Sequence, residues 1–254
     1  MKAGNIYVTI YIVWFLIGLT LLLTIGIPHS LAWSGGVYLI LSAGISMMIL
    51  AKSLKKQTAL FVAIILAMAG WIIEWYGVHT GFPFGRYRYS NGLGPALSGV
   101  PIAIASAWVS VTIIGWSLTP SSLSRPKRIV TAALLTTSLD FLIDPVATRI
   151  IHDWSWNTHG GFYGVPWMNF FAWFFISLII QSALSIIPIL SYPSGLSWLL
   201  FGTLGGMFAI IAIVHSFFIP ALVGLVPGLA SGLAAARNGP QKNKLPSWYE
   251  GILK

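Results

Sequence analysis

Residues 129–150 read IVTAALLTTSLDFLIDPVATRI. About 20 apolar residues in a helix cross the hydrocarbon of a bilayer, and this stretch has that length and character apart from two carboxylates. A charged group in hydrocarbon costs several kcal/mol, about 2.5 to 3.5 on insertion scales, so acids in such segments usually have a task. Asp140 and Asp144 are four residues apart, a spacing that stacks them on one helix face. Pro145 follows directly, and Arg149, five residues beyond Asp144, is placed to serve as a counter-ion.

The whole chain has the same character. Its 254 residues are 57% hydrophobic and 7% charged, against about 25% charged in a soluble domain, so it reads as an integral membrane protein. Three of its five carboxylates, Glu74, Asp140 and Asp144, fall inside apolar stretches, whereas Asp153 and Glu250 read as solvated loop and tail charges. A net charge of +9 would suggest nucleic acid in a soluble protein. Here Lys and Arg occupy short loops and the C-terminal tail, where they set topology and meet anionic headgroups, and no nucleic-acid partner is expected. The absence of cysteine excludes disulfides, thiolate metal sites and cysteine catalysis.

Apolar stretches lie at about 6–27, 34–51, 58–78, 97–118, 129–150, 167–190, 197–215 and 219–236. As one helix, Ser197 to Ala236 would be about 60 Å long, twice the hydrocarbon thickness, and Pro220 and Pro227 offer a break. The expected fold is an all-α polytopic bundle of about eight transmembrane helices, seven at the least. It forms one domain over residues 1–236, followed by a basic cytoplasmic tail over 237–254. The first stretch follows a single Lys2, is long and has no small-residue cleavage site, so it stays as a helix. With eight spans, Lys2, Lys52, Lys55, Lys56, Arg125, Lys127, Arg128, Arg237, Lys242, Lys244 and Lys254 share one side. Only Arg86, Arg88 and Arg149 lie opposite. The positive-inside rule then puts both termini in the cytoplasm of a multi-pass protein of the cell membrane.

Two loops on the outer side differ from the others. GVHTGFPFGRYRYSNGLGP and HDWSWNTHGGFYGVP are dense in glycine and aromatics, a composition that gives close-packed backbone and flat rigid walls. Trp75, Phe84, Tyr87, Tyr89, Trp108, Trp154, Trp156 and Tyr163 are therefore candidate walls of a substrate pocket, the alternative being an interfacial aromatic belt. An internal echo joins the two regions. Gly99, Val100 and Pro101 recur as Gly164, Val165 and Pro166, and Ala107 and Trp108 recur as Ala172 and Trp173. Each unit reads as an acidic helix, an aromatic loop and a helix starting near GVP. Two such units in parallel orientation would be related by a twofold axis along the membrane normal, with their acids facing each other.

His79, His152 and His159 fall at the outer loops and with Asp153 or Glu74 could form an N/O metal site, but no HxxxH or HxxEH spacing occurs. His29 and His215 have no acidic neighbours in sequence and read as structural. P-loop, dinucleotide and GxSxG signatures are missing as well, and no metal or cofactor is expected. What remains is acid chemistry on an apolar substrate. A carboxyl desolvated among apolar groups keeps its proton at neutral pH and can deliver it to an alkene. Protonation of a trisubstituted isoprenoid double bond gives a tertiary carbocation that Trp, Tyr and Phe faces stabilise.

The blocks TGFPFGRYRY after Glu74, LGPALSGVPIAIASAW, DFLIDPVA and WSWNTHGGFYGVPWMNFFAW resemble the membrane carotenoid-biosynthesis family that includes gamma-carotene 1',2'-hydratases and bisanhydrobacterioruberin hydratases. The resemblance spans about Gly70 to Trp173, with Phe162 and Ala172 where the family pattern has Tyr and Gly. It implies an acyclic carotenoid substrate, water addition across a terminal double bond, no redox cofactor and a place among other carotenoid-pathway enzymes. Glu74, Asp140 and Asp144 match the family's acids, and Asn169 matches the asparagine of its YGVPxxNF motif. The basic charge balance points away from a high-salt cytoplasm, and so to a C40 substrate over a C50 one. Two other readings use the same features: a carotenoid end-group cyclase, disfavoured because Glu74 lacks the Pro-x-Glu pattern of small lycopene cyclases, and a non-catalytic lipid or isoprenoid binding or transport protein.

Overall fold

The computed structural model describes residues 3–157, 161–189 and 193–237. Lys2, His159, Lys242, Lys244, Glu250, Lys254 and the basic tail from 238 onward lie outside the described residues. Eight α-helices are present among the described residues: α1 (Ala3–Thr24), α2 (Ser34–Leu50), α3 (Lys56–Thr80), α4 (Ile102–Ser117), α5 (Arg125–Val146), α6 (Trp167–Leu184), α7 (Gly195–Val214) and α8 (Phe218–Arg237). Four short strands accompany them, β1 (Tyr87–Tyr89), β2 (Ala96–Leu97), β3 (Val100–Pro101) and β4 (Trp154–Trp156). The all-α membrane bundle expected from the sequence is the fold observed.

Six of the helices are long and apolar enough to cross a membrane, while α2 and α4 have 17 and 16 residues. At 1.5 Å per residue α4 is about 24 Å long, short of the hydrocarbon thickness. It lies at the centre of the bundle, where Trp108 through Ser117 are all buried, so its ends meet protein. The apolar stretch assigned to residues 97–118 starts too early: Leu97 and Val100 pair across a β2–β3 hairpin, and the helix begins only after Pro101. At the periphery α1 buries Tyr11 alone and presents Ile6, Ile10, Val13, Leu16 and Ile17 outward. Such an apolar exterior suits lipid.

Pro145 sits near the end of α5 and removes one backbone donor from the ladder. The helix then widens into a π turn, Ala147–Ile151, closed by His152 in the left-handed region. This turns β4 back over the bundle. Arg125 Nε donates to Ser185 Oγ at 2.9 Å and Ser231 Oγ donates to the Leu118 carbonyl at 2.9 Å. These bonds tie the α4–α5 and α6–α7 connections and the end of α8 together on the side that carries Lys and Arg.

The internal echo is structural as well as sequential. Both glycine- and aromatic-rich loops end in two left-handed residues, Ser98 and Gly99 in the first and Tyr163 and Gly164 in the second. Each is followed by a buried valine and by a proline that caps the next helix in nearly the same conformation, φ −60°, ψ 133° at Pro101 and φ −62°, ψ 138° at Pro166. The units α3–β1–α4 and α5–β4–α6 then meet through equivalent parts: β1 pairs antiparallel with β4, as a local twofold requires.

Candidate active site

Gly70 on α3 starts the site. A Cβ there would fall within 2.4 Å of Trp108 side-chain atoms, so the bare glycine lets the Trp108 indole lie against α3. One turn on, Trp108 Nε1 donates to Glu74 Oε1 at 2.9 Å. Tyr87 and Tyr89, two residues apart and hence on one face of β1, both donate their hydroxyls to Glu74 Oε2, at 2.5 and 2.8 Å. Burial, and then the neighbouring Glu74 charge, push both phenols well above their ordinary range, which keeps them protonated as donors.

The second unit repeats this arrangement with other residues. Trp154 and Trp156, again alternate residues of one strand, donate their indole N–H groups to Asp144 Oδ1 at 2.7 and 3.0 Å, and Thr148 Oγ1 donates to the same atom at 3.0 Å. Asn169, in the first turn of α6, completes the cluster: its Nδ2 donates to Asp140 Oδ2 and to Asp144 Oδ2, each at 2.8 Å. The two amide hydrogens thus serve two carboxyl groups. Pairing of Tyr87 with Trp156 and of Tyr89 with Trp154 assembles four aromatic rings over the acids, with ring centroids 4.9 and 5.8 Å apart.

Glu74, Asp140, Asp144 and Asn169 are all nearly inaccessible. They line a cavity of about 70 Å³ together with Phe84, Tyr87, Tyr89, Trp108, Trp154, Trp156 and Trp173. Beside it lies a chamber of about 670 Å³ walled mostly by apolar residues of α1, α2, α4, α5 and α7, among them Phe15, Tyr38, Leu39, Met207 and Phe208. Ile104, Ala107, Val111, Ile143 and Trp154 line both spaces.

A family described as carotenoid biosynthesis protein matches residues 34–231, most of the chain and every helix that lines the acid cavity. This chain belongs to the carotenoid biosynthesis protein family. It is also similar to the bisanhydrobacterioruberin hydratase of Haloarcula japonica, 31% identical over 126 residues that cover 47% of this chain and 42% of the relative. The chain therefore spans less than half the length of that curated relative. No solved structure matches it.

Within this carotenoid biosynthesis protein the structure gathers Glu74, Asp140, Asp144, Phe84, Tyr87, Tyr89, Trp108, Trp154, Trp156 and Asn169 around one cavity. Two residues singled out in the sequence stand apart. Trp75 is exposed on the far face of α3 and packs on His79, and Tyr163 packs on Phe162 and Phe217. Arg149 is no counter-ion of Asp144. It is exposed and lies beside Gly164, because the π turn rotates it away from the face that carries the acids, and neutral donors take its place. His79 and His152 are exposed and bond the Trp75 and Thr148 carbonyls one turn back, and His215 is exposed at the end of α7. Asp153 is not an ordinary solvated charge: half-buried on the wall of the large chamber, it is pushed by burial up to about 7. Trp173, an addition to the cavity wall, is the echo partner of Trp108. The walls from α1, α2 and α7 left no trace in the sequence, since an apolar residue that lines a chamber looks like one that faces lipid.

Proposed function

We propose that this chain is a carotenoid hydratase that works without a cofactor, adding water across a terminal double bond of an acyclic carotenoid end group. The observation that carries this reading is the pair Asp140 and Asp144 sharing the Asn169 amide in an aromatic-walled cavity beside an apolar chamber. The name of the Haloarcula japonica relative supports the reaction class.

The polyene lies in the large chamber and its end group enters the acid cavity. Asp144 accepts four hydrogen bonds and Glu74 three from side chains, an environment made for anions, which only accept. Asp140 accepts one, from Asn169, which leaves its second oxygen able to carry the proton. Asp140 gives that proton to one alkene carbon, and the cation forms on the more substituted carbon. The aromatic rings that wall the cavity and the Asp144 charge stabilise it. Water, oriented by Glu74, adds to the cation and loses a proton to a carboxylate, from which Asp140 is reprotonated. Glu74, Asp140 and Asp144 are thus the catalytic groups, and the aromatic rings and Asn169 hold substrate and acids in place. Both termini lie in the cytoplasm, with the acid cavity toward the outer face of the cell membrane.

Expression in a lycopene-producing host, with mass spectrometry of the extracted carotenoids, tests the reading. A product heavier by one water is expected. Unchanged mass with altered absorption would show a cyclase, and unchanged carotenoid at normal protein level would leave binding or transport.

A further inference from the structure

Hydration consumes one water per turnover, and the acid cavity opens toward an apolar chamber that the polyene would fill. Water therefore needs another way in. On α5, Thr136 lies one turn from Asp140 toward the Lys-rich end. On α6, Asn169, Trp173, Ser177, Gln181 and Ser185 follow at intervals of four, one helix face running from the acids to the side where Ser185 meets Arg125. Midway, Gln181 Nε2 donates to the Thr112 carbonyl at 3.1 Å and to Thr136 Oγ1 at 3.3 Å, which joins α4, α5 and α6.

Thr112, Thr136, Ser177 and Gln181 are buried, yet these polar groups do not fully satisfy one another. Ser177 Oγ, Gln181 Oε1 and Trp116 Nε1 have no partner among the described residues, although Ser177, Gln181 and Trp116 are each at most 1% exposed. Trp116 stands one turn beyond Thr112 on α4, so the three unpartnered atoms mark successive levels between the acid cavity and the Lys-rich face. A buried polar group left unpaired costs free energy comparable to a lost hydrogen bond, and ordered water is its usual partner where protein atoms are lacking. An apolar core would place Leu or Ala here at no such cost.

We propose that the α4–α5–α6 interface holds a file of ordered waters, bound by Ser177, Gln181, Thr136 and Trp116, that supplies the reacting water to the acid cavity from the Lys-rich side. This rests on the hydratase reading for its purpose but not for its existence. Ser177 and Gln181 act as positioning residues for water.

Hydroxyl-radical labelling of the full-length protein in membranes, carried out in 18O-water, tests the file itself. Trp116, sealed from both lipid and bulk solvent, is expected to take up labelled oxygen, and an unlabelled Trp116 in folded protein would overturn the proposal. Product formation tests its role through the isosteric pair Ser177→Thr and Ser177→Val, which differ only in the hydroxyl. The Val variant is expected to lower hydrated product per molecule by about tenfold or more, while the Thr variant keeps most of it. Equal turnover in both at normal abundance would overturn the supply role. If the wild type makes no hydrated product, the hydratase reading fails and the labelling alone decides whether the file exists.

Discussion

Trp108 and Trp173 stack face to face, with centroids 4.0 Å apart and parallel planes. They hold equivalent positions in the two units, about two turns past the capped start of α4 and of α6. Their contact therefore marks the line on which the halves of the bundle meet, and it borders the carboxyl groups directly. Cation–π stabilisation is worth about 2 kcal/mol or more at a desolvated site. Trp173→Leu should thus cut turnover by about tenfold or more. Trp108→Leu should cut it further, since it also strips a donor from Glu74. Product per unit of membrane protein in the carotenoid-producing host is the measure, and equal effects of the two changes would contradict separate roles.

The three acids should respond alike. Asp140→Asn, Asp144→Asn and Glu74→Gln preserve shape but end proton exchange, and at Asp144 and Glu74 they also turn one accepting oxygen into a donor, so each should lower turnover by about 10² or more, the lower range for general acid–base catalysis. Bound carotenoid, extracted from the purified variants, should be retained. Activity in all three at normal abundance would show the carboxyls to be structural.

Asn169→Leu tests the shared amide. It takes from Asp140 its one side-chain donor and from Asp144 one of four, and a buried polar group left unsatisfied costs about 1–3 kcal/mol. Thermal unfolding of the detergent-solubilised protein should show a lowered midpoint, and turnover should fall with it. An unshifted midpoint would mean that the amide does not bind both acids.

Asp153 gives a pH dependence. Its folded-state value of about 7 lies above the ordinary carboxyl value near 3.9, so the folded protein binds the extra proton. The stability this contributes is fully present below about pH 4 and is lost as pH rises through about 7. Asp153→Asn should therefore melt above the wild type at pH 8 and level with it at pH 4. A variant less stable than wild type at pH 8 would reverse the sign and refute burial as the cause.

Topology is open to reporter fusions. Those placed after Lys56 and Arg128 should read cytoplasmic, and one within Ser90–Gly94, beside the β1–β4 pair, should read external. A cytoplasmic signal from Ser90–Gly94 would invert the proposed orientation.

Much of this site is legible in the sequence because carboxylates are scarce in apolar helices and stand out there. The four-residue spacing of Asp140 and Asp144 placed them on one face, and the GVP echo brought Trp108 and Trp173 into correspondence. The partners of each acid were harder to foresee. Asp144 looked paired with Arg149, and only the π turn after Pro145 explains why Trp154 and Trp156 reach it instead. Trp75, one residue from Glu74, points the other way because adjacent helical positions diverge by about 100°. Asp153 looked solvated because its burial comes from the folded-over loop around Ser90 and Gly92, far off in sequence.

The pairing of β1 with β4 also constrains how the molecule is made. Arg88 and Ser155 lie 67 residues apart in the chain. When the loop after α3 has been made, Tyr87 and Tyr89 can already find Glu74, but their strand has no neighbour until α5 and then β4 follow. Asp140 waits longer still for its partner, since Asn169 arrives only with α6. For that interval of synthesis two carboxyl groups sit in a helix with no amide to receive them, and the nascent chain depends on α6 being threaded promptly beside α5.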